Sequence, residues 1–513
     1  MLFQLDNNSF KKLDTRYQPS ALHEVFADDP QLPEPSDLPA SPLFIPPLIE
    51  PTADEHGVKS YKVTAHTSKH YFDPDRASDT LAYNDQSILG PTIKLHQGDQ
   101  VAAETVNDLK DVTTFHWHGL LVEDDADGGC HMPVKPGTSA PIHFDVINEA
   151  ATLWYHPHPL HQTARQVYEG LAGMMIIEDE NSERLKENLP HTYGVDDIPL
   201  ITQDRFLVDG YRVDYDASYG QDGTAGDTLI VNGTVNPTLD VEQRFLRLRI
   251  VNGSNVSNFK YRLANGVKMY QIATDGGFLN YPVEVTDFIL SASERAEVLI
   301  DLNQIEEDQV ELLINDVAAL TIRIKDRQLN AQFDPNMSLR TDMLKIYRPE
   351  DLKDVPTKLM ALSGTDNRVA INGVKFDILR VDETAKQNEW MVWEVVNVKD
   401  EMEVLAHPYH VHGTQFRILD RNGKLPPRNE LGWKDTVIVN PGETVHLLLK
   451  FPKVGMFMYH CHILEHEDHG MMGHIQISES GTEKLAYGSH SAHLKGAYTS
   501  LQSNEAAGHA QNK

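Results

Sequence analysis

The sequence predicts an all-β protein built as three β-sandwich domains in a row. Two observations carry the class. From Tyr61 onward, short stretches alternate apolar and polar residues, as in Phe245 to Ile250 and Thr444 to Leu449, and are separated by Gly, Pro, Asn and Asp, the pattern of strands joined by turns. Helical periodicity is scarce, with only short candidates such as Ser182 to Asn188. The number of domains follows from a repeat: residues 106–119 (VNDLKDVTTFHWHG) are similar to 396–413 (VNVKDEMEVLAHPYHVHG), and WYHPH at 154–158 leading to GMMI at 173–176 is similar to YHCH at 459–462 leading to GMMGHI at 470–475. Two related units therefore bracket a middle segment, and 513 residues are enough for two to four domains.

In chain order, residues 1–55 read as a proline-rich arm, since eight of the 28 prolines fall between Pro30 and Pro51. That density favours extended backbone lying across a domain surface. Residues 56–185 and 336–482 are the first and third domains, the two halves of the repeat. The second, 186–335, has Asn-Gly turns at Asn232-Gly233 and Asn252-Gly253 but no paired histidines. Residues 483–513, rich in Ser, Gly, Ala, His and Gln, are expected to be a disordered tail.

Composition narrows the function. Lys and Arg number 45 against 76 Asp and Glu, a net charge of -31, so the surface repels phosphate backbones and anionic lipid headgroups, and nucleic acid is excluded as a partner. No stretch approaches the roughly 18 apolar residues that span a bilayer. The first residues show neither a secretory nor a twin-arginine signal, so the cytoplasm is the expected compartment, with unconventional export left open. Two cysteines, Cys130 and Cys461, rule out a disulfide scaffold.

Histidine carries the chemistry. Random placement of 25 histidines in 513 positions gives about 1.2 His-x-His pairs, yet there are four: His116/His118, His156/His158, His410/His412 and His460/His462, two in each half of the repeat. On a strand, residues i and i+2 leave the same face, so each pair can offer two imidazoles to one metal site. The residue between them faces the other way. In His460-Cys461-His462 a thiolate on one side is thereby joined through a few covalent bonds to imidazoles on the other, which suits electron transfer. With His407 upstream and His466 and Met471 downstream, a His, Cys, His, Met set is possible. Two imidazoles, a thiolate and a weak thioether are what a blue copper site requires; structural zinc favours more thiolates, and magnesium or calcium favours oxygen.

The strings HWHG, WYHPH, HPYHVHG and YHCHILEHEDHGMM resemble the four copper-binding motifs of multicopper oxidases, most of all the bacterial three-domain laccases of the spore-coat and cuprous-oxidase type. The resemblance runs from about residue 60 to 480 and includes the middle strings TDGG from Thr274 and SERAEV from Ser293. It implies three cupredoxin-like Greek-key β-sandwiches and four copper ions. By resemblance the type 1 ion takes His407, Cys461, His466 and Met471, and the type 2 ion His116 and His410. The type 3 pair takes His118, His156 and His462 on one ion and His158, His412 and His460 on the other. Asp127 matches an acid near the type 2 copper that helps relay protons, and Glu467 an acid that feeds protons to dioxygen. The bland alternatives are a solvated acidic loop for Asp127 and a hydrogen-bond acceptor behind a ligand for Glu467.

The remaining histidines, among them His131, His161, His469, His474, His490, His493 and His509, fit no copper slot. Cys130, in a Gly-Gly-Cys-His-Met stretch that departs from the family pattern, is expected to form no disulfide once Cys461 binds copper. The implied activity is that of a monomeric laccase-like oxidase taking single electrons from phenols or aromatic amines and reducing dioxygen to water. Two rivals remain. A metallo-oxidase acting on Cu(I), Fe(II) or Mn(II) is weakened because dedicated cuprous oxidases carry a methionine-rich insert in the third domain, whereas residues 340–400 hold only Met343, Met360 and Met391. A non-enzymatic relative with a structural duty, as among some cell-division proteins, would have lost copper ligands, and here every ligand is present.

Overall fold

A computed structural model describes residues 33–347, 351–398 and 405–482. The expected tail, 483–513, and most of the arm lie outside the described residues. The fold is all-β, in three pairs of packed sheets plus a small hairpin of Leu207–Val208 with Arg212–Val213.

In the first pair one sheet runs in the order Leu48–Ile49, Thr92–His96, Gly173–Glu178, Ala151–His156, His116–His118. The facing sheet holds Thr52–Ala53, Lys59–Asp73, Gln100–Asn107 and Thr138–Asp145, with Arg76–Tyr83 on its flank. Strand alternation fills the space between them: Val101, Ala103, Thr105 and Asn107 turn inward while Gln100 and Glu104 face out. Val101 and Ala103 meet Val63, Leu95, Trp117, Leu153 and Met175 in one apolar core. The third pair follows a similar plan, with Glu383–Lys386, Met472–Ser478, Gly455–Cys461, His407–Val411 and Thr436–Val439 in one sheet and Trp393, Tyr409, Tyr459 and Cys461 in its core. The middle pair has six strands in each sheet.

Two local readings change. The arm residues 33–55 do more than cross a surface, because they add short strands to three sheets: Ser41–Pro42 runs parallel to Pro237–Gln243, Leu48–Ile49 parallel to Thr92–His96, and Thr52–Ala53 antiparallel to Lys59–Asp73. The prolines keep these pairings short, since each removes a ladder donor. The arm thus stitches the first sheet pair to the second. The helix expected from Ser182 starts earlier, at Glu180, because the Asp179 carboxylate accepts from the Ser182 backbone N–H at 2.7 Å and caps it. It ends at Leu185, and every α-helix among the described residues is six residues or shorter.

The middle pair grips the first through buried charge. Arg249 donates Nε and Nη2 to Asp197 at 2.7 and 2.9 Å, and Nη1 to Glu297 at 2.9 Å and to Thr152 Oγ1 at 3.0 Å. Thr152, on the strand that ends in His156, donates to Glu297 at 2.7 Å. Arg247 completes the ring on Glu297 from 3.0 Å. Burial alone would raise the Glu297 carboxyl, but Arg247 and Arg249 bring it from 4.5 to about 2. Removing one member of a buried ion cluster costs about 3–5 kcal/mol, because it strands the partner charge away from water. Glu297→Gln should therefore destabilise the protein by about that amount at neutral pH. Since the folded pKa is depressed, the stabilisation is full above 4.5 and is lost as pH falls toward about 2. In urea denaturation the gap between wild type and variant should close across that window; a gap independent of pH would show that Glu297 titrates normally.

Candidate metal centre

The repeated motifs fall on two matching strand pairs. His116–His118 runs antiparallel to Ala151–His156, with His116 opposite His156. His407–Val411 runs antiparallel to Gly455–Cys461, with His410 opposite His460 and Tyr409 opposite Cys461. Alternation sends Trp117, Tyr409 and Cys461 into the sandwich cores and turns the flanking imidazoles toward the other unit. The two sets mesh: His116 stacks on His412 with centroids 4.0 Å apart, and His118 on His410 at 3.7 Å. His158 meets His460 at 4.9 Å and His156 meets His462 at 5.3 Å. All eight rings are buried.

Their protons can be assigned from their acceptors. His116 Nδ1 donates to the Asp127 carbonyl at 2.9 Å, His410 Nδ1 to the Asp435 carbonyl at 2.8 Å, and His460 Nδ1 to the Cys461 carbonyl at 2.9 Å. His412 Nδ1 donates to the Asp127 carboxylate at 2.9 Å, and His118 Nε2 to the Asp435 carboxylate at 3.0 Å. Burial lowers the pKa of His118, His156, His158, His410, His460 and His462, and brings His412 to about 4. These seven rings are therefore neutral, and each keeps a lone pair on its other nitrogen.

Those lone pairs point at one another. His412 Nε2 lies 3.0 Å from His460 Nε2, and His158 Nε2 lies 3.3 Å from the same atom. Nitrogens that both lack the proton repel at that distance unless a cation sits among them. Metal–nitrogen bonds of about 2.0 Å set tetrahedral ligand atoms about 3.3 Å apart, which this trio matches. His116 Nε2, His410 Nε2 and both ring nitrogens of His462 are buried without a hydrogen-bond partner, which is costly unless a metal takes them. His118 Nδ1 and His156 Nε2 approach to 3.4 Å.

A second constellation lies beyond Cys461. Its Sγ is 3.4 Å from His407 Nδ1 and 3.9 Å from His466 Nδ1, around the roughly 3.5–3.7 Å expected between sulfur and nitrogen on one metal. All three residues are fully buried, and Met471 packs in the same core. Met471 is held close by its backbone, which donates to the His466 carbonyl at 2.9 Å and accepts from Cys461 N at 3.0 Å. His466 lies on the short helix Leu464–Asp468 and turns Nε2 toward Asp222 Oδ1 at 3.2 Å. That hydrogen bond holds the Asp222 carboxyl down at about 2, and its side chain is 39% exposed.

Both sequence-nominated carboxylates touch the histidine cluster. Asp127 Oδ2 reaches His412 at 2.9 Å and His116 at 3.5 Å. Gly128 follows it with φ 76°, where an added Cβ would meet the Phe115 carbonyl oxygen at 1.8 Å, so only glycine lets the loop press so close. Glu467 lies 3.3 Å from both His158 Nδ1 and His460 Nδ1, and burial pushes its carboxyl well up. The solvated-loop reading of Asp127 fails on burial, since the residue is only 5% exposed.

Other participants were not nominated from the sequence. Arg295, in the SERAEV string, donates to both Asp435 oxygens at 2.6 Å, and Asp435 in turn holds His118. Asp222 comes from a loop of the middle unit. His161 and His469 make ordinary hydrogen bonds, to the Asp468 carbonyl and the Tyr219 hydroxyl, whereas Cys130, His131 and His474 form a third tight cluster of donor atoms.

Sequence models described as multicopper oxidase match residues 64–182, 196–315 and 352–481. The chain is 41% identical over 438 residues to the multicopper oxidase mco of Staphylococcus aureus, covering 85% of this chain and 92% of that one. A laccase from Pediococcus acidilactici superposes with a TM-score of 0.82 at 39% identity, covering 87% of this chain and 96% of that one. The cell division protein FtsP of Escherichia coli is 33% identical over 459 residues, 85% of this chain and 93% of that one. A match on each of the three units, joined to imidazole lone pairs that only a shared cation reconciles, makes this chain a member of the multicopper oxidase family, copper-dependent oxidoreductases that use dioxygen.

Proposed function

We propose that the protein is a laccase-like oxidase acting on phenols or aromatic amines, with a type 1 copper on His407, Cys461, His466 and Met471 and a trinuclear cluster on the other eight histidines. Within that cluster the type 2 ion belongs to His116 and His410. The type 3 ions belong to His118, His156 and His462 and to His158, His412 and His460. Bound copper supplies reversible one-electron chemistry. The balance is four phenols giving four phenoxyl radicals, with the four protons and four electrons they release taken up by one dioxygen to give two waters.

The observation that carries the substrate side is the contact of His466 Nε2 with half-exposed Asp222 at 3.2 Å. His466 is itself fully buried, so a donor reaches it through this edge. A phenol hydroxyl can donate to the Asp222 carboxylate and leave its proton there as the electron departs through His466. Cys461 then passes the electron along its own backbone, since its chain neighbours His460 and His462 belong to the cluster. Asp127, Glu467 and Asp435 all contact cluster imidazoles; Asp435 is tied down by Arg295, and Asp127 and Glu467 carry protons inward. A metal-ion donor is the second reading, because an exposed carboxylate oxygen beside His466 is also a ligand for Fe(II) or Mn(II). Retention of all twelve copper-binding positions supports an enzyme over a purely structural relative.

Four outcomes test this. Cys461→Ser should give a colourless protein that binds three coppers and turns over no phenol; retained turnover would remove Cys461 from the electron path. Asp127→Asn and Glu467→Gln, at full copper loading, should be reduced by a phenol as fast as wild type without oxygen, yet reoxidise about 100-fold more slowly once oxygen is admitted. Equal reoxidation rates would return both acids to positioning roles. Asp222→Asn should lower kcat/KM for a dimethoxyphenol about tenfold or more. Assayed side by side at one oxygen concentration, faster turnover of Cu(I) or Fe(II) than of the phenol by wild type would favour the metallo-oxidase reading.

A further inference from the structure

We propose a further metal site, for a monovalent copper ion, formed by Cys130, His131 and His474 with the Met458 thioether beside them. Their donor atoms, one from each of the first three, lie within 4.8 Å of one another. His131 Nε2 is 2.7 Å from His474 Nε2, and Cys130 Sγ is 3.4 Å from Met458 Sδ. None of the four belongs to the copper positions assigned above.

Three elements build the cluster. Met458 and His474 are cross-strand partners on Gly455–Cys461 and Met472–Ser478, two residues along from His460. His474 is clamped: its Nδ1 donates to the Arg380 carbonyl at 2.9 Å and its backbone N–H to the Asp382 carboxylate at 2.9 Å. Its Nε2 therefore carries the lone pair. Cys130 and His131 arrive on the loop that follows Asp127. Gly129 lets that loop lie on the methionine, since an added Cβ would meet Met458 Cε at 2.2 Å. Cys130, Met458 and His474 are buried, while His131 is half-buried and gives a route from solvent.

Donor chemistry and charge select the ion. Two imidazoles, a thiol sulfur and a thioether are soft or borderline donors, which favour Cu(I) over magnesium or calcium. Binding Cu(I) displaces the thiol proton to water, so a +1 ion meets one thiolate and the buried site is neutral. Zn(II) on the same donors would leave one uncompensated positive charge. The bland alternative is a hydrogen bond from His131 to His474 with Cys130 and Met458 as packing.

The test uses the full-length copper-loaded protein, reduced without oxygen and titrated with Cu(I) buffered by bicinchoninate. Wild type should retain one Cu(I) more than Cys130→Ala, His474→Gln and the half-buried His131→Gln, releasing one proton per extra ion. All variants should recover the blue absorption on reoxidation, which separates loss of this ion from damage at Cys461. His131→Gln is the variant safest for folding. Equal copper counts in wild type and His131→Gln and Cys130→Ala proteins that regain their colour would overturn the proposal, as would retention of Zn(II) without Cu(I) in a parallel titration. Because the readout is a difference between proteins, it stands whatever the total number of coppers proves to be.

Discussion

The metal centre depends on one buried ion pair, Arg295 with Asp435. The guanidinium comes from the middle unit, the carboxylate from the third, and the carboxylate accepts from His118 of the first. Arg295 also donates to the Thr152 carbonyl at 3.1 Å, on the strand that delivers His156. One fully buried cation thus fixes the relative position of strands whose imidazoles must meet to within tenths of an ångström. Lys434 adds a second tie between third and middle units, reaching Asp275 at 3.0 Å and Glu294 at 3.1 Å. The middle unit, which has no histidine in the cluster, acts as the frame against which the other two are registered.

The all-β class was legible from alternation and turn residues, because period-two burial is written directly into strands such as Gln100–Asn107. The imidazole cluster was legible for the same reason: i, i+2 spacing on a strand is a statement about faces, and four such pairs in two related units exceed chance. What stayed hidden depends on contacts between distant segments. Asp435 stands in a stretch with no histidine and no motif, and nothing local links it to Arg295. Asp222 lies in an irregular loop whose path no periodicity records.

Cys130, His131 and His474 show the same limit from the other side. Read along the chain, His131 and His474 are single histidines and belong to no pair. They meet because the loop after Asp127 folds back on the third-unit strand pair on which Met458 and His474 stand opposite each other. Likewise the arm reads as extended chain across a domain surface until its short strands are seen filling sheet edges, where a few donors and acceptors between prolines suffice.

The trio His158, His412 and His460 also bears on how the protein is made. Its first member lies early in the chain and the other two near its end, so a growing polypeptide at the ribosome holds no finished copy of this nest. Each sandwich can close on its own core as it emerges, but three facing nitrogens exist only after the last has docked. Until then a captured ion would find incomplete coordination and weak affinity. On the copper assignment proposed above, tight metal uptake becomes a signature of completed assembly, and the lone-pair repulsion that the ion would relieve makes the loaded protein the harder one to pull apart.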